Sequence, residues 1–572
     1  MYDMRKERSY WEGTGAANRR IMYIAAGYEN EDVLRKPHIG IANTFLEGSP
    51  GSGHLRTLAE YVKKGIWMSG GMPIEFGVPA TCGNMATDSD GLRYELALRD
   101  IVAMSIESVV KIHKLDGLVI LASCDNIIAG AYLAALRVHI PCIVVTGGIM
   151  AAGCYHGKPL VQADIDVAAI RGDEKLLDEM QEYACPSFGA CPSMGTACTM
   201  QILGEALNLV LPGTATIPAA DNLKLRSCIR VGHFIVEQVK RGVCPEDIVT
   251  KNVLLNTAML DMAMAGSTNA VLHLLAYSHE LGLDLSLDDF DTIARQVKCL
   301  VGVVPSGPYT VVDFHNAGGV PAVMKRLKSV LRTEEKTLLG DTWGQYLDSV
   351  TIPEGSIIRT LDQPWSDIAG LRILKGNLAA EGAVCRPTGV LEDMREFRGR
   401  ARVFDREELA VRNAVPTAEG ALRLAMEAAP VTLHGAACVV TGFGRVGQAL
   451  ALRLRALGAD VWVAERSPAR QALAESMSLP CGGFAALPAR LSTAELVFNT
   501  VPAPVLGEAE LAALRQGTPV IELASAPGGV DGEAAAHHGI RVILAPGLPG
   551  KEAPLTAARA LRDTVYHMML GV

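Results

Sequence analysis

A thiol and a carboxylate follow directly after one strongly apolar stretch of the chain. Residues 118–121 form a continuous apolar run, and Ser123, Cys124 and Asp125 come just after it. Such a run predicts a buried parallel strand, and ligands gather outside the carboxyl ends of such strands. A soft ligand for iron beside a hard ligand for a divalent cation indicates a metal-dependent active site. The alternative is a small buried cysteine followed by an aspartate that caps the next helix.

A second group of cysteines lies in a loop rich in Gly, Pro and Ser between residues 184 and 199. Cys185 and Cys191, six residues apart, would reach a shared metal centre, although their spacing fits no standard zinc or ferredoxin pattern. Further on, residues 264–270 open a helical pattern with Ser, Thr and Asn. The N–H groups there would hold a carboxylate or a phosphate, unless the hydroxyls only cap the helix.

Glycines at G-x-G-x-x-G spacing follow another apolar run, which begins at Val439. The loop residues are Gly442, Gly444, Arg445, Val446 and Gly447. A helix is predicted from Gln448 to Leu457 and a second strand from Asp460 to Ala464. Glycines in this context permit a tight turn and a close approach of the backbone to a pyrophosphate, which the helix N-terminus stabilises. The pattern therefore predicts a dinucleotide site, with a plain βαβ turn as the alternative.

The residues after the second predicted strand bear on the choice of cofactor. Arg466 and Ser467 follow Glu465, and Arg470 comes one helical turn later. A pair of guanidinium groups suits a 2′-phosphate, whereas a glutamate suits a free ribose hydroxyl. We expect NADP rather than NAD.

The elements that position these residues are those of two α/β domains. Short apolar runs, such as residues 142–145, alternate with helical patterns from Leu55 to about Leu300. This alternation predicts a doubly wound parallel sheet, and a Rossmann-type dinucleotide-binding domain is expected to follow it. After Arg400 only one lysine remains, Lys551, and this shift in composition marks a boundary. We expect a first domain over 1–350, a remnant and linker over 351–410, and a dinucleotide-binding domain over 411–572.

The composition limits the classes of partner. The chain has 572 residues, with 53 Lys and Arg against 62 Asp and Glu, and a formal charge of -9 without a basic block. Nucleic acid is therefore not an expected partner. The absence of a long apolar run predicts no membrane association, and 13 scattered cysteines indicate reduced thiols in the cytoplasm. We expect a small-molecule substrate and a homodimer.

Several motifs in the first 405 residues together resemble those of the dihydroxy-acid dehydratase and phosphogluconate dehydratase family. They are Cys124 with Asp125, residues 185–200, residues 205–207 with 211–213, residues 265–273, residues 313–319 and residues 374–382. The resemblance implies an iron–sulfur hydro-lyase, with a 2Fe-2S or a 4Fe-4S cluster and with Mg²⁺ on the oxygens of a hydroxy-acid substrate. It implies cluster ligands at Cys124 and Cys191 and a Mg²⁺ ligand at Asp125.

The chain also departs from the pattern of this family. Asn126 stands where members have a lysine that is carbamylated as a metal ligand, and residues 81–85 read Thr-Cys-Gly-Asn-Met where members have an aspartate for Mg²⁺. Cys82 or Cys185 would supply the third thiolate. From about residue 405 the β-rich domain that carries the family's catalytic Ser and a further Mg²⁺ Glu has no counterpart. We therefore expect weak Mg²⁺ binding and little dehydratase activity, and we assign no catalytic residue.

Residues 411–570 are similar to the C-terminal half of the A-type component of dipicolinate synthase. The similarity rests on residues 413–420, 523–531 and 544–554 in addition to the glycine loop. It implies an NADP-dependent oxidoreductase whose substrate half is not present. Two alternatives to a dehydratase therefore remain open, an oxidoreductase of the dipicolinate type and a non-catalytic fusion or chimeric sequence.

Overall fold

The computed structural model describes residues 13–87, 89–171, 174–376, 379–390, 407–525 and 527–569. The chain forms two compact units, Met1–Phe397 and Arg398–Val572. In the following, these are unit 1 and unit 2.

The core of unit 1 is a parallel sheet of four strands in the order β2-β1-β3-β4. Its strands are β1 (His38–Asn43), β2 (Met72–Gly77), β3 (Gly117–Ala122) and β4 (Cys142–Thr146). Every residue of β3 is buried, and alternate residues pack on opposite faces. The predicted strands at 118–121 and 142–145 are thus confirmed, whereas β1 and β2 were not predicted.

The helices of unit 1 cover both faces of this sheet, so the prediction of a doubly wound fold is confirmed. They are α1 (Thr14–Ala25), α2 (Asn30–Arg35), α3 (Leu55–Met68), α4 (Leu92–His113), α5 (Asp125–Arg137), α6 (Gln162–Arg171), α7 (Glu174–Ala184), α8 (Thr196–Ala206), α9 (Asn222–Arg241), α10 (Pro245–Ile248), α11 (Lys251–Met264), α12 (Asn269–Glu280), α13 (Leu287–Gln296), α14 (Val311–Asn316), α15 (Gly319–Arg326) and α16 (Trp343–Ser349). Two antiparallel hairpins complete the unit, β5 (Gly153–Tyr155) with β6 (Lys158–Leu160) and β7 (Arg372–Gly376) with β8 (Ala379–Cys385).

Helices α3 and α9 pack on one face of the sheet with their backbones in close approach. A Cβ on Gly65 would collide with the carbonyl oxygen of Ile229, and one on Gly232 would collide with the carbonyl oxygen of Val62. Only glycine fits at these two positions, because any side chain would push the helices apart.

Unit 2 is built on a parallel sheet of six strands in the order β11-β10-β9-β12-β13-β14. This is the 3-2-1-4-5-6 order of a dinucleotide-binding fold, so the predicted Rossmann-type domain is confirmed. Its strands are β9 (Ala437–Thr441), β10 (Asp460–Ala464), β11 (Cys481–Gly482), β12 (Leu496–Asn499), β13 (Pro519–Glu522) and β14 (Arg541–Leu544). Its helices are α17 (Glu407–Ala428), α18 (Arg445–Ala456), α19 (Pro468–Ser476), α20 (Leu487–Leu491), α21 (Glu508–Ala512), α22 (Gly532–His537), α23 (Leu548–Glu552) and α24 (Pro554–Met569).

Within the described parts of the chain, none of these helices has the length and apolar character needed to cross a membrane.

Candidate functional site

Three predicted site cysteines lie close together at the carboxyl end of the sheet of unit 1. Cys124 follows β3 and caps the N-terminus of α5. The thiol of Cys82, from the turn that precedes α4, shares a hydrogen bond with the thiol of Cys124. Cys191 lies in the loop before α8, where Asn84 Nδ2 is 3.9 Å from its sulfur. The structure therefore brings Cys82, Cys124 and Cys191 to one place, although they are far apart in sequence.

The thiols of this group differ in acidity. The hydrogen bond from Cys124 lowers the pKa of Cys82 to about 6. The same contact, together with burial, holds the pKa of Cys124 well above its usual range, and burial raises the pKa of Cys191 to about 11. The remaining candidate, Cys185, is exposed, and partial burial of its thiol raises its pKa. Between the two candidates for a third thiolate, the direct contact with Cys124 favours Cys82.

Two carboxylates lie beside the thiols. Asp125 is the first residue of α5, and its Oδ1 is buried without a hydrogen-bond partner. Burial and, secondly, the charge of Glu95 raise the pKa of Asp125 to about 6. Glu95 also accepts a hydrogen bond of 3.4 Å from Nδ2 of Asn126. Sequence reasoning missed Glu95, because it lies within α4 in no recognised motif.

Three helix N-termini meet next to this carboxylate pair. Thr196, the first residue of α8, donates a side-chain hydrogen bond to Asp125. Its Oγ1 lies 2.9 Å from Oγ of Ser267 and accepts a 3.0 Å hydrogen bond from Nδ2 of Asn269, the first residue of α12. The N-termini of α5, α8 and α12 thus converge, an arrangement that favours a bound anion.

The Gly-rich loop before α3 lies over the cysteines. A Cβ on Gly51 would lie only 2.9 Å from Sγ of Cys124. His54 Nε2 is 2.7 Å from the carbonyl oxygen of Gly147, and its ring stacks on Phe188. Because Nε2 faces a carbonyl it carries the proton, which leaves Nδ1 as a buried acceptor without a partner.

Arg386 connects the segment after β8 to the loops of the site. Its Nη1 donates to the carbonyl oxygens of Met194 at 2.9 Å and Ala265 at 3.2 Å. Asp261, which is fully buried in α11, has no hydrogen-bond partner on either carboxylate oxygen. Burial holds the pKa of Asp261 well above its usual range, although the charge of Arg386 opposes the shift.

The glycine loop of unit 2 has the geometry that its sequence predicts. Gly442 has a φ of 87°, which favours glycine, and a Cβ on Gly447 would collide with the carbonyl oxygen of Gly442. By contrast, nothing lies within 4 Å of the position of a Cβ on Gly444, which caps the N-terminus of α18. The backbone at Gly444 is therefore open to a ligand.

A cleft of about 870 Å³ opens at this loop. It is lined by Glu407, Ala410, Gly442, Gly444, Arg445, Val446, Gln448, Glu465, Arg466, Arg470, Phe484, Thr500, Val501, Pro502, Ala503, Pro504 and Val505. All the predicted cofactor residues except Gly447 and Ser467 are in this lining, and the side chains of Arg466 and Arg470 are exposed there. Gly447 packs behind the loop, and the N–H of Ser467 donates to Glu465 Oε1 at 2.9 Å.

Glu465 is buried at the end of β10, where dinucleotide-binding folds place the residue that contacts the adenosine ribose. Its Oε2 accepts a 2.8 Å hydrogen bond from the N–H of Phe443 and lies 3.9 Å from Nη1 of Arg470. The structure therefore places a carboxylate and a guanidinium at the same end of the cleft.

A buried network behind the cleft was not predicted from the sequence. Asn499, at the end of β12, donates to both carboxylate oxygens of Glu522 at 2.8 and 3.0 Å. Thr441 Oγ1 donates to Asn499 Oδ1 at 2.5 Å, and Glu522 also accepts from the N–H of Gly529 at 2.9 Å. These contacts hold together the ends of β9, β12 and β13.

The profile of the dihydroxy-acid/6-phosphogluconate dehydratase N-terminal domain matches residues 36–346, and that of the C-terminal domain matches residues 356–421. The chain belongs to this dehydratase family. Among curated members, the dihydroxy-acid dehydratase of Ignicoccus hospitalis is 41% identical over 402 residues, which are 69% of this chain and 73% of that protein. The dihydroxy-acid dehydratase of Halothermothrix orenii is 40% identical over 407 residues, 70% of this chain and 74% of that protein.

Unit 2 of this dehydratase-family chain matches a different profile. Residues 412–534 match the NAD binding domain of D-isomer specific 2-hydroxyacid dehydrogenases. Among solved structures, the A-type dipicolinate synthase component from Bacillus halodurans is 37% identical, with a TM-score of 0.29 over 30% of this chain. The corresponding Bacillus subtilis protein is 35% identical, with a TM-score of 0.30 over 30% of this chain. The chain spans 59% and 58% of the lengths of these two proteins. The resemblance to the dehydratase family is thus confirmed, and the dehydrogenase profile agrees with the dinucleotide-binding domain found in the sequence.

Proposed function

We propose that unit 1 holds an iron–sulfur cluster through Cys82, Cys124 and Cys191 and binds a small hydroxy acid beside it. The observation that carries the proposal is the convergence of three thiols with two carboxylates at one sheet edge. Thiolates are the usual ligands of such clusters. The low pKa of Cys82 favours its thiolate form, which is ready to bind iron. When bound, the cluster would act as a Lewis acid on the leaving hydroxyl group.

The carboxylates of Asp125 and Glu95 fit a Mg²⁺ ion. Mg²⁺ prefers six oxygen ligands and retains water readily, so two carboxylates suffice for a hydrated ion. Glu95 would then compensate in part for the carbamylated lysine that Asn126 replaces. Because only two charged ligands are present, we expect weak binding.

The converging helix N-termini would hold the carboxylate of the substrate. Thr196, Ser267 and Asn269 supply hydroxyl and amide groups there, and the N–H groups of α8 and α12 supply further donors. A base is still needed at the carbon next to the carboxylate, and the family's serine has no counterpart in the sequence. We therefore expect turnover of 2,3-dihydroxy-isovalerate or gluconate below the ordinary enzyme range of about 1–10³ s⁻¹.

Anaerobic reconstitution with iron and sulfide tests this proposal. The iron content per chain should fall sharply in Cys124→Ser and Cys191→Ser, whereas the exposed Cys185→Ser is the matched control and should retain iron. The absorption and electron paramagnetic resonance spectra distinguish 2Fe-2S from 4Fe-4S. Equal iron content in the wild type and in Cys124→Ser would refute the proposed cluster site. Turnover within the ordinary range would refute the inference that the chain lacks a catalytic base.

We further propose that unit 2 binds NADP(H) in the cleft at Gly444. Within the described residues, the lining of this cleft contains no His, Cys, Tyr or Lys that would act as a general acid or base. This favours a cofactor-binding role over hydride transfer by unit 2 alone. Arg466 and Arg470 support binding of the 2′-phosphate of NADP, whereas Glu465 supports binding of the free ribose hydroxyl of NAD. We propose that the two arginines outweigh Glu465 and give a preference for NADP.

Fluorescence titration with NADPH and NADH tests the preference. Arg466→Ala and Arg470→Ala should each weaken NADPH about tenfold, which corresponds to about 1.4 kcal/mol, and should leave NADH nearly unchanged. Arg455→Ala, which is exposed on α18 outside the cleft lining, is the control. Equal affinity of the wild type for both cofactors would refute the NADP preference and show that Glu465 controls the choice.

We also propose a cytoplasmic homodimer. The chain has thirteen cysteines, and the structure shows no disulfide among the residues it describes, which supports a reducing compartment. Tyr94, Ile101 and Met104 fall on one side of α4 and are exposed, an apolar surface that supports self-association. Sedimentation should give twice the chain mass for the wild type and a monomer for Met104→Glu; a monomeric wild type would disprove the dimer.

A further inference from the structure

Two adjacent histidines and a glutamate meet on the surface of unit 2, outside the lining of the dinucleotide cleft. His537 is the last residue of α22, His538 follows it, and Glu508 is the first residue of α21. Nε2 of His538 is 2.7 Å from Oε1 of Glu508, and Nδ1 of His537 is 3.6 Å from the same oxygen. One ligand atom from each side chain lies within 4.8 Å of the other two. Among the described residues, no other group of His, Cys, Asp or Glu has this spacing.

We propose that Glu508, His537 and His538 bind one divalent transition-metal ion of the zinc type. Two imidazole nitrogens and one carboxylate oxygen are a common ligand set for Zn²⁺, with bonds of about 2.0–2.2 Å. Mg²⁺ and Ca²⁺ prefer oxygen ligands throughout, so the site selects against them. Water would complete the coordination, because all three side chains are accessible to solvent.

The geometry needs little adjustment to receive the ion. Glu508 and His537 are mostly exposed, with side-chain exposures of 63% and 76%, so they change rotamer at low cost. His538 is only 25% exposed and provides the fixed ligand. The two rings have centroids 4.9 Å apart and are inclined by 59°, so their nitrogens approach one point without stacking.

The bound ion would link two helices that belong to different strand-to-strand connections of unit 2. Helix α21 lies between β12 and β13, and α22 lies between β13 and β14. Both helices contain only a few residues, so a shared metal would add a cross-link between two short elements. An ion that binds only the folded state raises the stability of unit 2 in proportion to the logarithm of its concentration.

The alternative is a pair of surface ion pairs without a metal. His139 and Glu246 of unit 1 form such a pair at 3.1 Å, and among the described residues no third His, Cys, Asp or Glu joins them in a ligand group, so they provide a matched control. A single imidazole with a carboxylate offers too few ligands to retain Zn²⁺ at micromolar concentration. The two sites therefore differ in the number of imidazoles, which is the property that the zinc measurement tests.

Zinc binding to the full-length chain is measured in competition with a chromophoric chelator, with excess Mg²⁺ present. Because the cysteines also bind zinc, the decisive quantity is the difference in zinc content between variants. We expect one equivalent fewer in the double variant His537→Asn/His538→Asn, an affinity about tenfold weaker in Glu508→Gln, and no change in His139→Asn. Circular dichroism verifies that each variant is folded, and the single variant His538→Asn replaces the double variant if it is not. Equal zinc content in wild type and the histidine variants overturns the proposal, as does binding only at millimolar zinc.

Discussion

Gly444 and Gly447 are three positions apart in the glycine loop, but the structure predicts opposite consequences for their substitution. At Gly444 the backbone has φ -76° and ψ -166°, which any residue adopts, and a Cβ meets nothing within 4 Å. Gly444→Val should therefore change the free energy of unfolding by no more than about 0.5 kcal/mol. The open space is where the pyrophosphate would approach, so the branched side chain should weaken cofactor binding.

The expected loss of affinity follows from the contacts at the helix N-terminus. A hydrogen bond to a charged group contributes about 1.5–3 kcal/mol, and a valine at Gly444 would remove one or two of them. The dissociation constant for NADPH should thus rise by a factor of roughly 10 to more than 1,000.

Gly447→Ala should act on stability instead. The added Cβ collides with the carbonyl oxygen of Gly442, and forced overpacking of this kind costs about 1–3 kcal/mol. For a unit of this size, each kcal/mol lowers the melting temperature by about 2–4 °C.

Differential scanning fluorimetry without cofactor and fluorescence titration with NADPH separate the two effects. Gly444→Val should melt at the same temperature as the wild type and bind NADPH at least about tenfold more weakly, whereas Gly447→Ala should melt at a lower temperature. Undiminished NADPH affinity in Gly444→Val would refute the placement of the pyrophosphate, and an unchanged melting temperature for Gly447→Ala would refute the packing argument.

Three further predictions concern buried groups. Burial lowers the pKa of His273 to about 4, so between pH 6.5 and 4 the unfolded chain binds a proton that the folded chain does not. The free energy of unfolding should therefore fall as the pH falls through this range. Urea titrations should show a loss about 3 kcal/mol larger for the wild type than for His273→Leu. Glu465→Ala leaves the N–H of Phe443 without its partner and should lower the urea midpoint of unit 2 by an amount equivalent to about 1–3 kcal/mol. Gly65→Ala should destabilise unit 1 by about 1–3 kcal/mol in the same assay, whereas the exposed Gly77→Ala, whose added Cβ meets nothing within 4 Å, should leave stability nearly unchanged.

The sequence predicted those strands that are continuous apolar runs. Strands β3, β4, β9 and β10 belong to this class, and their positions agree with the structure. Strand β1 was missed because Gly40 and His38 interrupt its apolar character, although both are required by the packing around them. Strand β2 was missed because Pro73 is typical of a turn; a proline is tolerated there because β2 is an edge strand.

Only those site residues that belong to a recognised motif could be predicted from the sequence. Cys124, Asp125 and the glycine loop follow strands directly, so their positions come from local sequence. Whether Cys82 or Cys185 accompanies Cys124 depends on the path of two loops, which spacing does not specify. Glu95 reaches the site from within a helix, and no local pattern distinguishes it from a solvent-exposed glutamate.

The close crossing of α3 and α9 limits the movement of the loop that covers Cys124. The loop that covers Cys124 leads directly into α3, and Gly65 fixes the depth of α3 against α9. Because the contact between α3 and α9 leaves no room for an additional methyl group, the two helices cannot shift relative to each other. The loop therefore keeps its position above the sheet when a single ligand residue changes. Asn126, which stands where the family pattern has a lysine, is a change of this kind. The chemistry of the pocket can therefore change at a single position without any displacement of the loop that covers it.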